Sequence, residues 1–262
     1  MTIDAVELSR LATIAGSLFV AGIVLFGLRR ALARTTLAGA DRRAVWLEVA
    51  VPFTLWLAAV WVVSVQGALF RPVPSIIPNV PTLALAIVIP VIVGLVLLAR
   101  STRVRALLAA TPAPWLIGAQ VYRVMGAIFL INWAHGALPG DFALPAGYGD
   151  IAVGLLALPV ALWVSSRSAS GRTAGILWNV LGLADLTIAV SMGAMTSPGP
   201  IHFFALDHPN VLIATFPTVL IPAFAVPVSF ILHVLSLWQL RRVGRAVPIV
   251  AVDTRAVGAV TH

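Results

Sequence analysis

Long apolar runs organise this chain. Seven are long enough to cross a bilayer, which takes roughly 17–25 residues of helix: Leu11–Leu28, Val45–Val65, Pro81–Ala99, Trp115–Ala134, Tyr148–Val164, Thr173–Met195 and Val211–Leu240. Each predicts a helix, because a lone apolar segment in lipid must satisfy its backbone N–H and C=O groups internally. The last run is long enough to tilt, break or extend past the bilayer. The first is not read as a cleaved leader, since Asp4 and Glu7 precede it in place of a basic cluster and six more runs follow. The expectation is an all-α bundle of seven transmembrane helices forming one domain over 1–240, with a short basic tail over 241–262.

The segments between the runs alternate in charge. Arg29, Arg30, Arg34, Arg42 and Arg43 follow the first run; Arg100, Arg103 and Arg105 follow the third; Arg167 and Arg172 follow the fifth. Arg241, Arg242, Arg245 and Arg255 follow the seventh, whereas the opposite side carries only Arg10 and Arg71. The positive-inside rule then places the N-terminus outside and the C-terminus in the cytoplasm. The connections leave no room for an extramembrane domain.

Composition narrows the chemistry. Of 262 residues, 60% are hydrophobic and 10% charged, against about 25% charged in soluble domains. Together with a mean hydropathy of +1.03, this excludes a water-soluble globule and a disordered chain. All 17 basic residues are arginine, and cysteine is absent. Disulfides, thiolate metal sites, iron–sulfur ligation and cysteine nucleophiles are therefore excluded, as is a lysine Schiff base to retinal. The net charge of +8 sits in the loops, where it orients the protein, so nucleic acid is not an expected partner. The expected partners are the lipid bilayer and a small solute or ion, with a second copy or another membrane protein as further candidates. The Arg-only, Ala/Val/Leu/Gly-rich composition suggests a GC-rich bacterial genome, hence the cytoplasmic (inner) membrane.

A charge at mid-bilayer costs about 2.5–3.5 kcal/mol on insertion scales, so it persists where something pairs with it. Two such residues stand out, Arg123 in the fourth run and Asp185 in the sixth. They lie roughly 12 and 18 Å from the cytoplasmic end at 1.5 Å per residue, a difference an arginine side chain spans. Gln120 shares the Arg123 face, and Trp178, Asn179, Gly182 and Asp185 recur on one face of the sixth run. His233 and Glu48 lie at similar depth. Arg123, Asp185, Gln120, Asn179, Trp178 and His233 are thus the candidate ligand-binding residues, with Arg123 attracting an anionic group and Asp185 orienting it or carrying a proton. The alternatives are an ion pair that fixes helix packing, Glu48 solvated beside Arg42 and Arg43, His233 bonded to a neighbour, and Asn179 bonding between helices.

A second polar group is expected at the outer face: Asp150, His135, Asn132 and Tyr148, with Gln66, Asp141, His202, Asp207 and His208 nearby. None has a metal-binding spacing, so no metal is expected. His135 and His233 fall toward opposite ends of the bilayer, which argues against haem, and no cofactor is expected. Gly147-Tyr148-Gly149-Asp150 resembles the end of a potassium-channel filter, but Pro145-Ala146 stand where that filter has Thr-Val. The preferred reading is a glycine turn with Asp150 capping the fifth helix. Asn132 stands nine residues after Arg123, about 900° of rotation, so the two polar groups should be separate, divided by an apolar layer around Ala127 to Ile131. Pro52, Pro90 and Pro159 are expected to interrupt helices two, three and five, and Pro217, Pro222 and Pro227 helix seven.

Gln120-Val121-Tyr122-Arg123, Leu144-Pro145-Ala146-Gly147-Tyr148-Gly149-Asp150, Trp178-Asn179 with Gly182 and Asp185, and Ser197-Pro198-Gly199-Pro200 resemble a group of bacterial hypothetical integral membrane proteins. The resemblance implies a multi-pass membrane fold and carries no activity. Seven spans also fit the arrangement of small sugar-exporting transporters, though the Pro-Gln dipeptide of those proteins is missing. The expected function is a small transporter. A receptor, sensor or accessory subunit is the alternative, and a membrane-embedded enzyme the third and least favoured reading.

Overall fold

The computed structural model describes residues 4–69 and 82–243. Among these, seven helices are long and apolar enough to cross a membrane: Ala5–Ala33, Gly39–Val65, Thr82–Arg100, Ala113–Ala134, Gly140–Ser165, Ala169–Thr196 and Ile221–Arg242. The protein is an all-helical, multi-pass membrane protein. Arg71 and most of the basic tail, including Arg245 and Arg255, lie outside the described residues. A short helix, Thr102–Ala109, capped by Ser101, links the third and fourth spans.

Two expectations about helix continuity are corrected. Pro52, Pro90 and Pro159 lie inside unbroken helices; neighbouring groups compensate for the lost N–H in a packed bundle. The seventh span begins at Ile221, ten residues later than the apolar run. Before it, Leu212–Ala214 form a single 3-10 turn, and Ile221–Ala225 are wound as π-helix at Pro222. The closely spaced Pro217, Pro222 and Pro227 remove three helix donors here, so the run breaks at its first part.

The fourth to seventh spans are the most enclosed, and the second and third the least. The exposed faces carry large apolar side chains such as Leu18, Leu55, Ile92, Leu162 and Leu177, as a lipid-facing surface requires. Phe224 anchors the contact between the second and seventh spans, with ring centroids 4.9 Å from Trp56 and 5.6 Å from Phe53.

The fifth span packs on the fourth through small residues. Ala143, Ala146, Gly147, Gly154, Ala157 and Ala161 are all buried. A Cβ at Gly154 would stand 2.5 Å from the backbone N of Val124, and one at Gly147 2.6 Å from Leu130. The two backbones touch, as small-residue stripes permit in membranes.

Glu48 illustrates a surface contact. It is exposed and lies 3.6 Å from Arg103. It does not join the polar interior, and its partner is neither Arg42 nor Arg43. Exposed pairs contribute about 0–1 kcal/mol, so Glu48→Gln should shift thermal unfolding of detergent-purified protein by less than that amount.

Candidate functional site

The centre of the fourth span is overwound. Ala119–Gly126 form a 3-10 helix inside a longer α-helical rod. At three residues per turn, side chains three apart eclipse, so Gln120, Arg123 and Gly126 align in one row, and all three are buried. Gly126 brings this row against the fifth span, where a Cβ would strike the Asp150 side chain. Asp150 sits between Gly147 and Gly154 on the same small-residue stripe, so the close approach of the two backbones delivers its carboxylate to Arg123.

Arg123 is 3% exposed, and all three of its guanidinium nitrogens have hydrogen-bond partners. Nε donates to Asp150 Oδ1 at 2.7 Å, and Nη2 lies 2.6 Å from the same oxygen. Nη2 also donates to Asp185 Oδ2. Nη1 reaches the Gly182 carbonyl at 3.5 Å and His233 Nε2 at 3.2 Å. A carboxyl group from each of two helices occupies the guanidinium where the sequence reading placed an anionic ligand.

The protons on the next residues follow from the guanidinium. Arginine only donates, so His233 Nε2 must accept, and Nδ1 carries the hydrogen. Nδ1 then donates to Asn179 Oδ1 at 3.0 Å. Asn179 Nδ2 donates to Ser236 Oγ at 3.0 Å and to the Gly175 carbonyl at 2.7 Å. A neutral imidazole is therefore held between a cation and an amide, with one tautomer specified. Trp178 closes the site, its Nε1 donating to the Val153 carbonyl at 3.1 Å and its ring 4.9 Å from the His233 ring.

Two carboxyl groups, Asp150 and Asp185, share one guanidinium. With both ionised and His233 neutral the cluster would carry one excess negative charge, which a single proton or cation would neutralise. Arg123 and Asp150 lie near the middles of their spans, where an uncompensated charge is costly.

A cavity adjoins the cluster on the side of the first span. It offers about 40 Å³ to water centres, where one water needs about 10–15 Å³. Thr13, Ser17, Tyr122, Arg123, Asp150 and Ser229 supply its polar lining.

A family model for a domain of unknown function, DUF8737, matches residues 80–241. The match covers more than half of the chain. The chain belongs to the DUF8737 family. No curated protein and no solved structure matches it. The DUF8737 segment contains Arg123, Asp150, Asp185, Asn179 and His233, whereas Thr13 and Ser17 precede it.

The remaining sequence candidates divide. Gln120 is fully buried, but neither side-chain polar atom has a hydrogen-bond partner among the described residues. Gln120→Met removes both atoms at similar size and should leave stability unchanged or raise it by about 1–3 kcal/mol, read by thermal unfolding. A loss of that size would show that Gln120 has a partner.

The outer-face group does not assemble. Asp150 belongs to the central cluster, and neither a turn nor a cap surrounds it, because Gly140–Ser165 is one helix through the Gly-Tyr-Gly string. Tyr148 on that helix is 61% exposed. His135 is exposed and contacts the Ile131 carbonyl of its own helix at 2.8 Å. Asn132 is buried against the first span, donating to Ser9 Oγ at 3.1 Å. It does face away from the partners of Arg123, but Asp150 crosses to the arginine's side. Asp141, Asp207 and His208 line a separate surface hollow.

Three residues of the first span went unread at the sequence level. Ser9, Thr13 and Ser17 are buried at a spacing of four, on the face turned to the fourth span. Hydroxyls at four-residue intervals in an apolar helix were the available signal.

Proposed function

We propose that this protein is a small membrane transporter whose coupling ion is a proton or monovalent cation compensating the Asp150–Arg123–Asp185 cluster. The observation that carries this reading is that two carboxyl groups, Asp150 and Asp185, share one buried arginine. With both ionised, a site of this composition gains from one added positive charge, a proton or a small cation. The setting supports movement as well as binding: the 3-10 segment of the fourth span and the π-helical turn of the seventh are windings that often mark functional hinges. The alternation of arginines supports an N-terminus outside, and the Arg-only, Ala/Val/Leu/Gly-rich composition supports a bacterial inner-membrane location.

The test is flux in proteoliposomes under an imposed inside-negative potential, followed with an entrapped pH dye and with radiolabelled sodium. Wild-type protein should conduct one of the two ions above protein-free vesicles. Asp150→Asn and Asp185→Asn, confirmed monodisperse, should lose at least about 90% of that flux, as intramembrane carboxylates that carry ions do. Wild-type flux at the protein-free level, or full flux in both variants, refutes the reading and leaves the cluster as a structural clamp.

A further inference from the structure

The two ends of the bundle carry opposite charge. One end is formed by the connections after the first, third and fifth spans and by the close of the seventh. Contacts join these segments: Arg103 lies 3.6 Å from Glu48, and Arg172 Nε donates to the Leu240 carbonyl at 2.8 Å. Among the described residues this end holds twelve arginines and two carboxylates, Asp41 and Glu48. The other end holds Arg10 against Asp4, Glu7, Asp141 and Asp207. Of the twelve arginines, Arg103 alone has an ion-pair partner among the described residues. A surface this basic draws its counter-charge from outside the chain.

Two of these arginines are held by tryptophans at the depth where a span leaves the bilayer. Arg34 follows the first span, and its Cζ stands 4.1 Å from the ring centroid of Trp115, in the first turn of the fourth span. Arg242 closes the seventh span, with its Cζ 4.3 Å from the Trp238 centroid. Tryptophan favours the headgroup layer. A cation–π contact restrains a guanidinium without consuming its hydrogen-bond donors. Both arginines are exposed, and neither guanidinium has a hydrogen bond or ion pair among the described residues. Their planar forks are therefore free to take two oxygens of a phosphate. Lipid-facing apolar surface adjoins the charge: Arg30 lies over the Phe26 ring at 5.3 Å, and Phe26 is 62% exposed. A soluble anion would meet the charge and leave that surface bare, whereas a phospholipid covers both. A zwitterionic headgroup brings its own cation and cancels much of the gain. From these observations we infer that the arginine-rich end is a binding surface for anionic phospholipids, with Arg34 and Arg242 as fixed contacts to headgroup phosphates. The inference is independent of the ion reading of the central cluster and adds a partner to the two spans that carry the 3-10 and π-helical windings.

The test is native mass spectrometry of the full chain in detergent, titrated with phosphatidylglycerol or with phosphatidylcholine of the same acyl chains. Phosphatidylglycerol should bind at least about tenfold more tightly, and the difference should shrink as ammonium acetate is raised, because surface charge is screened. Arg34→Gln and Arg242→Gln, each confirmed monodisperse, should each weaken phosphatidylglycerol binding by about fivefold, the share of one arginine at an anionic surface. Arg10→Gln removes the same charge from the other end and should leave the binding unchanged. Glycerol phosphate, the headgroup without acyl chains, should not displace the lipid. Equal binding of the two lipids would overturn the inference on wild-type protein alone, whether or not the variants fold. Equal losses in all three variants would overturn it by reducing the effect to net charge. Displacement by glycerol phosphate would do so by making the surface a site for soluble phosphate esters, and full binding in both Arg34→Gln and Arg242→Gln would remove the two named contacts.

Discussion

Arg123→Met alone should destabilise the bundle by about 3–5 kcal/mol, the cost of breaking a buried ion pair by removing one partner. The substitution keeps the length of the side chain and deletes all five donors. Asp150 and Asp185 would then face each other across the vacated centre without a counter-charge, and His233 Nε2 would lose its donor. Adding Asp150→Asn and Asp185→Asn should recover most of the loss, because the neutral amides no longer repel and each can donate as well as accept. Thermal unfolding of detergent-purified protein followed by tryptophan fluorescence checks both statements. A loss under about 1 kcal/mol, the range of solvated pairs, would mean that water already screens the cluster. A triple variant no more stable than Arg123→Met would mean that the arginine acts through packing and not through charge.

The second large effect concerns glycines that make room for the cluster. A Cβ on Gly149 would overlap the Asp185 carboxylate, and one on Gly182 would overlap the His233 ring. In each case the colliding group is polar and already bonded, so relief by rotation breaks the network. Gly149→Ala and Gly182→Ala should each cost about 1–3 kcal/mol, the usual penalty of overpacking. Gly22 lies on an open face with nothing within 4 Å of its Cβ position. Gly22→Ala should be neutral or stabilising by up to about 1 kcal/mol. Equal effects at the three positions, measured by thermal unfolding, would contradict the packing described for the centre.

What was legible in the sequence follows from the scale of each signal. Seven spans register as apolar runs of membrane length, and lipid leaves little choice about their conformation. The row Trp178, Asn179, Gly182 and Asp185 was also legible, since the sixth span is a regular helix and its spacing translates directly into one face. The start of the seventh span was not, because hydropathy counts apolar residues whether or not prolines let them form a helix. Asp150 was misplaced because glycines were read as turn formers. Within lipid, Gly147 and Gly149 serve close packing instead, and the stripe Ala143, Ala146, Gly147, Gly154, Ala157, Ala161 around Asp150 held that message. The 3-10 winding of Ala119–Gly126 has no sequence signature, being set by what packs on it. It is what aligns Gln120, Arg123 and Gly126 in one row.

The central claim is that one positive charge beyond Arg123 belongs in the cluster. Infrared difference spectroscopy of the protein in lipid, recorded on adding sodium at fixed pH, tests it most directly through the carboxyl groups. The account predicts one of two signatures that Asp150→Asn removes. Either a protonated carboxyl C=O band disappears as sodium replaces the proton, or a carboxylate stretch shifts as sodium binds. A spectrum in which the carboxyl bands ignore sodium and, across the pH range where the protein stays folded, also ignore pH would contradict the claim and make the cluster a static tie between helices.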